Sequence, residues 1–220
     1  MPLYPVTSPS QVVVPLDDMK KHLNVDHTDD DTYIAALTAA VTQHLDGRDG
    51  RLGRALVSQT WDYALDNFCC AGSYYGSSRT YFDGSFRGLP RIEIPLAPLL
   101  SVESVKYYDT GGIQQTLDPT NYSVIGIGGA SLGCVVLNSG VSWPAISVRP
   151  ESVVLRFSAG YLDTSNSPPV GEVPAPIVAA IKLFTATLYE SRENVVIGET
   201  VLELPWAAEA LIRPYRIFSH

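Results

Sequence analysis

One pentapeptide in the chain has the form of a catalytic motif. Gly129-Ala130-Ser131-Leu132-Gly133 matches the G-x-S-x-G pattern, in which a strand-to-helix turn lifts a serine above a sheet and aims backbone amides at an oxyanion. The residues that follow, Cys134-Val135-Val136-Leu137, read as a strand, and the one histidine downstream is His220. A glycine-rich β-turn is the reading these neighbours favour, and a small esterase-like serine hydrolase using Ser131 is the enzymatic alternative. His22, Asp26, His27 and Asp29 to Asp31 also crowd together. Their spacing fits neither the H-E-x-x-H helix nor a calcium loop with its obligatory glycine, and helix capping accounts for the aspartates. No phosphate loop is present, and Gly126-Ile127-Gly128 meets Ser131 where a dinucleotide fingerprint needs glycine. The expectation is no catalytic, cofactor-binding or metal site, no cofactor and no enzyme.

Association is the chemistry the remaining residues favour. Segment 67–90 sets Tyr74, Tyr75, Tyr81, Phe82 and Phe86 among glycines and serines, a composition that supplies contact area at low entropic cost. These rings are the candidates for contact with a neighbouring copy, against the plainer reading that half of them fold back on their own sheet. Near the C-terminus, Arg213, Tyr215, Arg216, Ile217 and Phe218 bring together the residue types that dominate interface energetics. Pro214 bars helix through this stretch. The tail is therefore expected to leave the body and dock on a partner.

Composition sets the limits within which these features act. The chain has 220 residues, 45% hydrophobic and 17% charged, which suits a globular protein with a sizeable core. Its net charge is −8 and its pI is about 4.9, a poor balance for wrapping DNA or binding an anionic membrane. No apolar run approaches the length of a transmembrane helix, and Met1 to Pro5 lack the features of a signal peptide. Three cysteines, two of them adjacent, do not make a disulfide framework. Reduced thiols in cytosol-like conditions are expected.

The elements that must position these residues change character twice. Residues 1–14, with Pro2, Pro5 and Pro9, read as an extended arm without a partner of its own. Helical pattern follows over 15–55: a short helix at 16–23, then a longer one after Thr28 with Ile34, Leu37, Val41 and Leu45 on one face, ending near Leu52. From Leu56 the period becomes two. Strands are expected at 57–65, 91–94, 101–109, 113–117, 122–127, 134–137 and 152–159, which makes 56–160 a β-rich module with the long loop 67–90. Ile177, Ile181, Phe184 and Leu188 restore the helical period over 174–188, and a last helix spans 205–212, so 173–220 is the second helical half with the tail. Helices, strands, helices imply an α+β protein: a helical part built from both chain ends, with an inserted antiparallel β module.

In order along the chain, these segments resemble a known family. Val14-Pro15-Leu16-Asp17-Asp18 through His22-Leu23-Asn24-Val25-Asp26 looks like the opening of tailed-phage head–tail connector (adaptor) proteins of the gp6-like type. Gly53-Arg54-Ala55-Leu56, Ile94-Pro95-Leu96-Ala97-Pro98, Leu117-Asp118-Pro119, Phe157-Ser158-Ala159-Gly160-Tyr161 and Pro214-Tyr215-Arg216 continue the likeness. Each piece alone is unspecific; their order carries the resemblance. It implies a structural virion protein at the head–tail junction, made in the host cytoplasm and without enzymatic activity. It implies a homo-oligomeric, dodecameric ring beneath the portal protein, attached largely through the C-terminal segment, with a stopper or tail-completion protein below. DNA would pass through the lumen without specific binding, which an acidic chain suits. A tail-completion protein lower in the neck is a further alternative. Segment 67–90 is longer and more aromatic than the family's usual connection, and its role does not carry over.

Overall fold

A computed structural model describes residues 2–9, 11–68, 91–161, 171–191 and 206–217. The order of elements is β1 (Leu3–Thr7), α1 (Leu16–Leu23), α2 (Asp31–Leu45), β2 (Gln59–Leu65), β3 (Arg91–Glu93), β4 (Leu99–Tyr108), β5 (Gln114–Thr116), β6 (Tyr122–Ile125), β7 (Cys134–Leu137), β8 (Val153–Ala159), α3 (Ala175–Glu190) and α4 (Trp206–Ile212). The fold is α+β, with helices from both halves of the chain, β1 ahead of them and the other antiparallel strands between them. Two compact units result: a β unit of Met1–Ser8 and Gln59–Ala159, and a helical unit of Pro9–Ser58 and Gly160–His220.

The β unit holds a five-stranded antiparallel sheet in the order β1-β2-β8-β4-β5 and a three-stranded one in the order β3-β7-β6. Strand β8 alternates strictly, with Val153, Leu155, Phe157 and Ala159 buried. Its register places Tyr63 beside Leu155 and Trp61 beside Phe157, so the period-two pattern of the sequence maps onto one apolar face. On the other face Arg156 makes two 2.7 Å bonds to the carboxylate of Asp62, which stand opposite each other in the ladder. The N-terminal arm departs from expectation. Residues 3–7 are not unpartnered but form β1, paired with β2 from Leu3 opposite Tyr63 to Thr7 opposite Thr60. Tyr4 adds a 2.7 Å bond to Glu151. Backbone pairing rather than apolar periodicity makes this strand, because Pro5 interrupts the pattern and four of its five residues are exposed.

In the helical unit Met19, Ile34, Val41, Leu45, Ile177, Ile181, Phe184 and Ile212 share one core. Burying each side chain of this size contributes on the order of 2 kcal/mol. Helix α2 stops at Leu45, earlier than its glycines suggest. Asp46 turns extended (φ −85°, ψ 150°), Gly47 adopts φ +79°, and the Asp46 carboxylate accepts the Leu56 N–H at 2.7 Å. The amides of Arg51 and Leu52 return to the carbonyls of His44 and Leu45. The aspartates before α2 also serve differently from simple caps. Asp30 occupies the N-cap without a capping bond and instead accepts the Tyr189 hydroxyl at 2.6 Å, while Asp31 pairs with Lys20 at 2.6 Å. Among the described residues no helix is long and apolar enough to cross a membrane, and no group of His, Cys, Asp or Glu is arranged to hold a metal ion.

Candidate functional site

The G-x-S-x-G pentapeptide lies in the connection between β6 and β7, which pair antiparallel from Tyr122 opposite Leu137 to Ile125 opposite Cys134. Ser131 is exposed on this hairpin, a strand follows it, and the β unit's sequence contains no histidine. The glycines serve the turn. Gly126 has φ +87°, and a Cβ on Gly133 would meet the Leu99 side chain at 2.5 Å. The geometry of a nucleophile elbow is missing: no helix N-terminus follows the serine to supply amides.

The C-terminal segment is the better-built site. Buried Ala208 and Ile212 seat α4 on the helical core, and Arg51 pairs with Glu209 at 2.7 Å. Pro214 ends the helix, and residues Arg213–Tyr215 form one 3-10 turn. The chain then runs back along residues 52–54. The Ile217 N–H donates to the Leu52 carbonyl at 2.8 Å, and the Arg54 Nε–H donates to the Tyr215 carbonyl. Arg54 is only 5% exposed, with its guanidinium 5.9 Å from the centre of the Tyr161 ring. Burial pushes the Tyr161 phenol above its ordinary value, and the Arg54 charge pulls it partly back. Gly53 permits the close approach: its φ is +63°, and a Cβ there would meet the Ile217 carbonyl oxygen at 2.7 Å.

Residues 213–217 therefore do not leave the body as the sequence suggests. Tyr215 packs against the helical core, Arg216 and Ile217 are half-buried, and Arg213 is exposed. The internal partners are backbone groups and a buried arginine, which hydropathy does not reveal. Phe218 lies outside the described residues, as do Tyr74, Tyr75, Tyr81, Phe82 and Phe86. Phe68, at the start of that long segment, folds back on its sheet, stacked on Trp143 with centroids 4.6 Å apart and edge-on to Tyr107 at 5.6 Å.

Two surface features escape the sequence reading. Trp206 is 84% exposed on α4, and Ala210 and Arg213, four and seven residues on, are exposed with it. The i, i+4, i+7 spacing is the signal that marks this face. Where the start of α2 meets the end of α3, Tyr33 (37% exposed) meets Tyr189 with ring centroids 6.1 Å apart, and Leu188, which precedes Tyr189 in α3, is 42% exposed. Asp29 and Glu190 are exposed at the same helix ends.

No protein-family model matches the chain, and no curated protein sequence matches it. Solved structures do share its fold. A chain from the neck of an empty gene transfer agent particle, computed with C6 symmetry, superposes with a TM-score of 0.68 at 20% identity, covering 100% of this chain and 97% of that one. A chain from the virion of a native gene transfer agent particle gives 0.69 at 20% identity with the same coverage. One from the neck of the native particle, computed with C12 symmetry, gives 0.60 at 19% identity. The likeness spans both units and establishes a shared fold over the whole chain.

Proposed function

We propose that this protein is a structural component of the neck of a phage-like particle: a head–tail adaptor whose copies form a ring beneath the portal and let DNA pass. The observation that carries this reading is the fold match over the entire chain to chains of gene transfer agent neck and virion particles. The segments that resemble head–tail connectors support it from the sequence side. The symmetric necks of the similar structures, computed with C6 and C12 symmetry, support a ring, twelve-fold in its simplest form. The role is non-enzymatic, with no cofactor, and an acidic lumen lets phosphates slide without sticking. A stopper or tail-completion protein is the partner below.

The portal-facing element is the C-terminal segment: Tyr215, Arg216, Ile217 and Phe218, with Arg213 at its root. Rings 74, 75, 81, 82 and 86 face a neighbouring copy. The test is retention of the cognate portal by the full-length chain, compared with Arg216→Glu and Phe218→Ala. Loss of a hot-spot side chain costs about 2 kcal/mol or more per copy, so both variants are expected to release the portal while still unfolding cooperatively. Undiminished retention by both would remove the segment from the portal contact.

A further inference from the structure

The helical unit carries two unlike exposed patches, one on α4 and one where the N-terminal end of α2 meets the C-terminal end of α3. One is the outer face of α4. Trp206 is 84% exposed there, one turn-spaced row with Ala210 and Arg213, and α4 is tied to the loop that follows α2 through Arg51 and Glu209. A tryptophan this exposed is unusual, since large aromatics bury most of their area, and Trp and Arg are the residue types enriched at interface hot spots. The other patch sits at the N-terminal end of α2. Exposed Tyr33 meets Tyr189, exposed Leu188 precedes Tyr189 in α3, and Asp29 and Glu190 are exposed at the same helix ends.

The patches complement each other in both chemistry and charge. An aromatic beside a cation faces an apolar pair beside two carboxylates. Because they lie on different parts of one unit, pairing them between copies gives a heterologous contact, the kind that closes into a cyclic ring. We infer that α4 of one copy docks on the α2–α3 end of the next, with Trp206 against Leu188 and Tyr33 and with Arg213 reaching Asp29 and Glu190. This rests on the ring proposed above and names its contact. Arg213 then belongs to the ring, and the portal contact begins at Tyr215.

The test is self-association of the full-length chain across a dilution series, by sedimentation velocity and mass photometry. Wild type is expected to form concentration-dependent oligomers. Trp206→Ala and Arg213→Glu should each weaken them about tenfold or more with unchanged thermal unfolding. Combining Arg213→Glu with Asp29→Arg and Glu190→Arg should restore assembly by reversing the charge pair. Wild-type oligomers that both single variants leave intact, or a charge-reversed combination that stays dissociated, would overturn this contact while leaving the ring itself standing. A wild type monomeric throughout would overturn the contact too, and portal retention, measured separately, would still report on the neck role.

Discussion

The Ile217 backbone N–H donates to the Leu52 carbonyl at 2.8 Å, closing the C-terminal segment onto the loop that follows α2. Gly53 is the residue that allows it. With φ at +63° and the Ile217 oxygen 2.7 Å from where a Cβ would stand, alanine meets both backbone strain and a clash. Gly53→Ala is expected to lower stability by about 1–2 kcal/mol and to speed hydrogen exchange at the Ile217 amide. Wild-type exchange at that amide would show that the segment is held by something other than this pairing.

Arg54 is the second fastening. It is buried and donates to the carbonyl of half-buried Tyr215, so its removal strips a charged donor from that acceptor. Arg54→Met should cost about 2–3 kcal/mol, read from urea denaturation of the full chain. A change below about 0.5 kcal/mol, the range of ordinary surface substitutions, would mean the arginine fastens nothing.

The Asp30–Tyr189 bond joins the start of α2 to the end of α3 at 2.6 Å. Tyr189→Phe keeps the ring contact with Tyr33 and removes the hydroxyl, which isolates the bond. The expected loss is about 1–2 kcal/mol, as for a hydrogen bond to a charged group. Equal stability of the two proteins would show that water replaces the hydroxyl without cost.

Tyr161 makes stability fall at alkaline pH. Burial raises its folded pKa above the ordinary 10.0, so the unfolded chain loses this proton first. The contribution is complete below about pH 10 and is lost as pH rises through the folded value. Tyr161→Phe should flatten the alkaline decline of the urea midpoint relative to wild type. Parallel declines would place the titrating group elsewhere.

Much of this architecture is legible in the residues because apolar spacing reports burial directly. Val153, Leu155, Phe157 and Ala159 alternate because one face of β8 is core, and Ile177, Ile181 and Phe184 mark α3 by the same logic. Strand β1 is not legible, since Pro5 breaks its pattern and its bonds come from the neighbouring backbone. The end of α2 is misjudged because the Asp46 carboxylate, not the later glycines, redirects the chain. The tail reads as free because its partners are the Leu52 carbonyl and a buried Arg54, neither of which hydropathy counts. Ser131 is read well as a turn, since the valines that follow it already favour a strand.

Placement in the neck of a particle is what imaging the intact particle tests most directly. Cryo-electron microscopy of particles carrying this chain, with the density fitted by its two units, should place a ring of identical copies in the neck, directly beneath the portal. A neck without such a ring, or density for the chain anywhere but the neck, would contradict that placement.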